Sequence, residues 1–244
     1  MFSPLEKFDI ISLLKIGTLG YFDLSITNFF VYLFLSFFLI IAAFYLFSRK
    51  STLVPNIWQI FSEVSYRFIS SLMLQQAGFK SAPFLPFLFL VFFFILFANY
   101  LGLTPFSFTV TSHIALTFFI SFTIWFSFLF LGFLEHGLGF LKLFIPNVPK
   151  ILLPFLILIE IVSYVIRAFS LAIRLSANMT AGHTLVHILS GFSVQIMNFS
   201  WFLVIFPFLL VLAILTLEFG IAFLQAYVFT TLACIYLNDS LNLH

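Results

Sequence analysis

SLAIRLSANMTAGHTLVHIL, residues 170–189, is apolar on almost every side and yet carries Arg174. Arginine does not shed its proton to escape hydrocarbon. A fixed cation at that depth costs at least about 2.5–3.5 kcal/mol on insertion scales, so it is read as a functional group facing protein or water rather than lipid. Outward from this stretch, residues 151–198 hold no proline after Pro154. A continuous helix of that extent would be on the order of 70 Å long, about twice the apolar thickness of a bilayer. Such a helix must tilt steeply or break, with Gly182 and Gly191 as the weak points. A second long segment, residues 201–237, follows a polar turn at Asn198-Phe199-Ser200. The two read as a long, steeply tilted antiparallel hairpin. The alternative is two conventional spans with Arg174 in the loop between them.

The rest of the chain is consistent with an all-α integral membrane protein. Of its 244 residues 63% are hydrophobic and only 7% charged, and the mean hydropathy is +1.23. A soluble domain is about 25% charged. Apolar runs near the roughly 20 residues that a helix needs to cross a bilayer recur along most of the length, whereas a β-barrel would show alternating segments of about 10 residues. A net charge of +2 spread over so few groups argues against a nucleic-acid partner. The single cysteine, Cys234, allows no internal disulfide and no cysteine metal cluster, and it reads as helix packing. Forty-one phenylalanines hint at a T-rich, organellar gene.

About five membrane helices and one amphipathic surface helix are expected in a single membrane domain over 1–244. The first span is 28–47, ending at the basic stop Arg49-Lys50. Residues 52–80 mix Trp58, Glu63, Arg67, Gln75 and Gln76 with apolar residues, as a helix lying on the surface does. Spans 84–101 and 113–134 form a hairpin through LGLTPFSFTVTS. Residues 135–150, with Gly137, Gly139, Pro146 and Pro149, read as a loop. With five crossings, Arg49, Lys50, Arg67, Lys80, Lys142 and Lys150 share one side, while the loops near 102–112 and 190–200 hold no Lys or Arg, which sets the inside face. Lys7 and Lys15 then lie outside, against the rule. The start, MFSPLEKFDIISLL, lacks the order of a cleavable signal.

The buried polar groups follow helical periods. Glu160, Arg167 and Arg174 recur every seven residues, a step of about −20°, and form one stripe that Asn178 continues. His183 lies nine residues beyond Arg174, a rotation near 180°, and His187 stays with it. On the last helix Glu218 and Gln225 share a face. In a hairpin turning near residue 200, positions whose numbers total about 400 lie at equal depth, which levels Arg174 with Gln225 and His183 with Glu218. Imidazole and a desolvated carboxylate both titrate toward neutrality, so the chemistry suggested is proton handling, with Arg174 as an electrostatic element that cannot itself relay. The carboxylate it serves is expected on another subunit. Plainer readings stand beside these: Glu160 and Arg167 as an ion pair near the inner headgroups, His187, Asn99 and Gln225 as helix-helix bonders, and His113 and His136 as interfacial groups.

At these residues the sequence resembles subunit a of the F-type ATP synthases, in its mitochondrial form. The matching words are SLAIRLSANMTAGH (170–183), LVHILSGF (185–192) and LEFGIAFLQAYVFTTLACIYLNDSLNLH (217–244), with PFSFTVTSH (105–113) and SPLEKFDIISL (3–13) in support. The resemblance implies a stator subunit in the mitochondrial inner membrane, lying against a rotating ring of proteolipid c subunits beside other membrane and peripheral-stalk subunits and supplying two offset aqueous half-channels. It implies that Arg174 is the family's essential arginine, that Asn178 and Gln225 are its polar neighbours, and that His183 with Glu218 is the access-channel pair, an order reversed in bacterial relatives. Glu160 and His187 join the expected proton path. Ile173 and Ser176 depart from residues common in relatives, which bears on packing rather than on charge. No cofactor or metal is expected, and the chain lacks a Gly-rich Walker loop, so nucleotide chemistry belongs elsewhere in such a complex.

Other classes fit less well. A b-type cytochrome would pair histidines across two helices, whereas His183 and His187 share one. An intramembrane metalloprotease would need His-Glu-x-x-His, and the chain reads His183-Thr-Leu-Val-His187. A secondary transporter would show internal repeats and paired broken helices.

Overall fold

The computed structural model describes residues 8–19, 22–48, 55–104, 107–145, 152–197 and 204–242. Six α-helices dominate: α1 (Asn28–Ser48), α2 (Ile57–Ala77), α3 (Leu85–Leu103), α4 (Ile114–His136), α5 (Leu153–Met197) and α6 (Ile205–Leu241). All but α2 are long and apolar enough to cross a membrane. Helix is the outcome that hydrocarbon enforces, because every backbone N–H and C=O must be satisfied within the segment. Pro86, Pro154 and Pro207 fall in the first turns of α3, α5 and α6. There the missing N–H would have had no intrahelical partner anyway.

Helix α5 follows the long-helix reading rather than its alternatives. It runs unbroken for 45 residues through both Gly182 and Gly191, so neither glycine is a break, and Arg174 lies in its middle rather than in a loop. A glycine inside a helix costs only about 1 kcal/mol and keeps its N–H in the ladder, whereas opening the ladder in lipid would leave several polar groups unsatisfied.

Three differences from expectation are small. Before α1 the chain forms an antiparallel hairpin of β1 (Ser12–Leu19) and β2 (Phe22–Thr27), for which no element was anticipated. Asn28 ties it to α1: its Oδ1 accepts from the N–H of Ile11 and of Phe29, and its Nδ2 donates to the Asp9 carbonyl. The surface helix begins at Ile57, capped by the Asn56 side chain, and stops at Gly78, whose φ of 71° is a left-handed value that glycine adopts without strain. The segment read as a loop after residue 135 instead carries α4 on to His136 and then a 3-10 stretch, Gly137–Phe144. Phe140 in that stretch is fully buried against Gly132, where a Cβ would come within 2.7 Å of the ring. The Lys7, Arg49-Lys50, Lys150, Pro146, Pro149 and 198–200 features lie outside the described residues.

The long helices contribute to two compact units. One comprises Met1–Ala43, Phe93–Ile114 and Leu175–Ala226; the other comprises Phe44–Phe92, Ala115–Arg174 and Tyr227–His244. In the first, Phe37 packs on Phe94 with ring centroids 4.8 Å apart, and Thr180 donates to the Ser112 carbonyl. In the second, Phe44 meets Phe89, Phe68 meets Tyr227, and Phe87 lies edge-on to Phe128. Ser121 donates to the Ala168 carbonyl at 2.8 Å, and His136 Nε2 donates to the Leu241 carbonyl at 3.3 Å. Tyr164 of α5 lies edge-on to Tyr236 of α6, as antiparallel neighbours would. The phenylalanine content thus supplies the ring-on-ring packing, in offset and edge geometries that add to plain burial. Small buried residues, Ala168, Ala172 and Ser176 on α5 and Ala222, Ala226 and Ala233 on α6, recur at spacings that let helix backbones approach in lipid.

Candidate functional site

A cavity of about 300 Å³ in the first unit is bordered by α3, α5 and α6. Its polar wall is made of Asn178 and His183 from α5 and Glu218 from α6, set among apolar residues such as Leu103, Met179, Leu217 and Ile221. Glu218 is only 7% exposed. Its carboxyl group lies directly over Gly182: a Cβ at that position would stand 2.9 Å from the carboxyl carbon and closer still to Oε1. Gly182 is therefore what lets Glu218 approach the α5 backbone. Sequence reading singled this glycine out as a weak point, and its contribution is clearance. The signal available beforehand was its place beside His183 in the word Ala-Gly-His.

A little over two turns define this buried edge of α6. Glu218, Ala222, Gln225 and Ala226 are all buried, at i, i+4, i+7 and i+8, so one stripe faces inward. Gln225, 5% exposed, accepts a hydrogen bond at 3.2 Å from Nδ2 of Asn178. The sequence expectation of two polar sectors on α5 resolves as follows: Asn178, at the end of the cationic stripe, and His183, on the imidazole side, border the same cavity. His183 and Glu218, levelled by the hairpin arithmetic, are brought to that cavity together.

The other expected residues stand apart from it. Arg174 occupies the centre of α5 with an exposed side chain, and among the described residues it makes no hydrogen bond or ion pair. Glu160 and His187 are exposed on the same helix. Glu160 and Arg167 do not form an ion pair: seven residues separate them by about 10 Å of helix rise, too far for direct contact. On α2, Glu63 and Arg67 form an ion pair at 4.0 Å that is largely solvent-exposed.

On α3, Asn99 makes the helix-to-helix bond that its plainer reading expected. Asn99 is fully buried and donates through Nδ2 to the Ala222 carbonyl at 3.5 Å, and Tyr100 stacks flat on Phe219 with centroids 4.4 Å apart and planes 2° from parallel. A lone asparagine in a run of phenylalanine and leucine was the available clue. His113, just outside α4, is wedged between Phe108 and Phe29, and burial lowers its pKa from the usual imidazole value.

The cavity joins an imidazole, an amide and a buried carboxyl group within apolar walls, while the arginine at the midpoint of α5 is exposed. The ATP synthase A chain family matches residues 30–238. ATP synthase subunit a of Pelagibacter ubique (strain HTCC1062) is 43% identical over 243 residues, covering 99% of this chain and 98% of that one. ATP synthase subunit a of Brassica napus is 46% identical over 253 residues, covering 99% and 97%. ATP synthase subunit a-2 of Arabidopsis thaliana is 46% identical over 253 residues, covering 99% and 72%. With a family match over residues 30–238 and a likeness to these relatives that covers 99% of its length, the chain belongs to the ATP synthase A chain family.

Proposed function

We propose that this chain is the proton-translocating stator subunit of a rotary ATP synthase, with Arg174 as the cation presented to a ring of proteolipid c subunits. The observation that carries the reading is Arg174 itself: a permanent charge at the centre of a 45-residue apolar helix, exposed, and without an ion pair among the described residues. A charge so placed needs a carboxylate from a neighbouring subunit to offset its cost in lipid.

The cavity forms the access half-channel. A proton arriving from the outer side passes Glu218 and His183, both at its wall, and Asn178, held by Gln225, orders the water between them. The proton neutralises a ring carboxylate, which can then rotate through lipid. When that carboxylate returns to Arg174, the guanidinium favours its ionised form and drives the proton off toward the inner side, past Glu160. His187, one turn beyond His183, extends the access path. Because Arg174 stays protonated, it blocks a direct leak between the two half-channels. Each charge crossing supplies about 2.3 kcal/mol per 100 mV, so several crossings are summed for each ATP made elsewhere in the complex.

The partners are the c-ring, the other membrane subunits and the peripheral stalk, and the location is the mitochondrial inner membrane. The order His183 before Glu218 supports that compartment. In the assembled complex, Arg174→Ala abolishes ATP-driven proton pumping while leaving the subunit incorporated. Normal coupled pumping in that variant would refute the assignment.

A further inference from the structure

Two contacts from α3 grip α6 just beyond Glu218. Asn99 Nδ2 reaches the Ala222 carbonyl, one turn after Glu218, and Tyr100 lies flat against Phe219, the residue immediately after it. Asn99 is fully buried, and its Oδ1 meets no hydrogen-bond donor among the described residues. The one directional contact its amide makes is therefore with α6. Ala222 is fully buried, and its small side chain leaves the backbone carbonyl open to a side chain from a neighbouring helix.

Why would α6 need such a grip? Its sequence from Ile205 to Leu215 is apolar all the way round, so the hydrophobic effect gives little preference for one rotation about its axis over another. Lipid tails are as apolar as leucine, and helix orientation in a bilayer is set by close packing and interhelical hydrogen bonds. A rotation of one residue position, about 100°, would carry Glu218 away from Gly182 and turn a neighbour toward the cavity.

We propose that Asn99 and Tyr100 are positioning residues for proton transfer: together they set the rotation of α6 that aims the Glu218 carboxyl group into the cavity shared with His183. The proposal rests on the access-channel reading of that cavity. Asn99 touches no proton on its way; it acts through the α6 backbone.

The test uses the whole complex with Cys234→Ser as background and single reporters on α6, Ile221→Cys at the cavity wall and Ala222→Cys on the buried stripe, labelled with a charged, water-soluble thiol reagent. With α3 intact, the first reporter labels and the second is protected. Asn99→Leu, which keeps the volume and removes the donor, narrows that difference by about three- to tenfold and lowers ATP-driven proton pumping by a similar factor, in keeping with the energy of interhelical hydrogen bonds in lipid. Tyr100→Leu shifts labelling in the same direction and provides the second measurement should Asn99→Leu fail to assemble. Asn99→Asp restores both readouts, because a carboxyl group buried in apolar surroundings stays protonated and can donate to the same carbonyl. Unchanged labelling in both leucine variants overturns the proposal, whatever happens to pumping. Lost pumping with unchanged labelling would leave the access-channel reading standing and assign Asn99 to the proton path itself. Shifted labelling with full pumping would overturn the link to proton transfer.

Discussion

Replacing Gly182 with alanine sets two opposed effects against each other. On helix propensity alone, Gly→Ala in the interior of α5 would stabilise the helix by about 1 kcal/mol. The new methyl carbon, however, would stand 2.9 Å from the Glu218 carboxyl carbon and 3.2 Å from its Cγ. Both are well inside the separation of roughly 3.5–4.0 Å at which carbon atoms attract. What must give is the end of a flexible side chain rather than backbone, at a cost of about 0.5–1.5 kcal/mol for a strained rotamer. The two terms nearly cancel, so assembly of the subunit into the complex is expected to be unchanged. The carboxyl group, by contrast, moves by roughly 1 Å within the cavity, and a misplacement of that size can lower a transfer rate by about 10²-fold. The assay compares the amount of assembled complex on native gels with ATP-driven acidification of vesicles. Full assembly with pumping reduced at least tenfold is the expected result. Wild-type pumping in Gly182→Ala would mean that proton transfer does not use Glu218 where the fold places it. Reduced assembly would mean that the glycine matters for packing instead.

Two further outcomes are expected. Asn178→Leu leaves the Gln225 amide buried without its donor, at a cost of about 1–3 kcal/mol, whereas Asn178→Leu with Gln225→Leu recovers part of the loss; thermal inactivation of the complex measures both, and additive effects would argue against the 3.2 Å bond. His113, wedged between aromatic rings, has a folded-state pKa below the ordinary 6.5, so the folded form prefers the neutral imidazole. The stability it contributes is present above about pH 6.5 and is lost as the pH falls through the lowered value. Protection factors of the amides in residues 107–113, which correct for the intrinsic slowing of exchange in acid, should fall on acidification below pH 6.5 in the wild type and not in His113→Gln; identical pH profiles would exclude the imidazole as the cause.

How legible was this protein before folding? Apolar run lengths are enough to count membrane helices, because bilayer thickness converts directly into residues per crossing. The depth of Arg174 also follows from sequence, since 1.5 Å per residue places every side chain along a helix axis. The common depth of His183 and Glu218 came from the same arithmetic, and their meeting at one cavity from the fold. Other features resisted such reading. The β1–β2 hairpin pairs short segments that show no strict alternation, with Lys15 and Gly17 falling at an irregularity in the register. The surface helix could be seen from its mixed composition, yet its start at Ile57 depends on the Asn56 cap and its end on the positive φ of Gly78.

The amino-acid order alone determines that the chain lives in a bilayer, how many times helices can cross it, and at what depth its few charges lie, because those quantities depend only on burial cost and helix rise. The tertiary structure decided the rest: that α5 continues through Gly182 and Gly191, that Gly182 serves as clearance for a carboxyl group, and that Asn99 and Tyr100 hold α6 by its backbone and by a ring. The physical reason is rotational. A helix that is greasy on every side has a defined length and depth but no preferred azimuth, and in hydrocarbon the azimuth is chosen by a handful of close contacts between residues far apart in the chain.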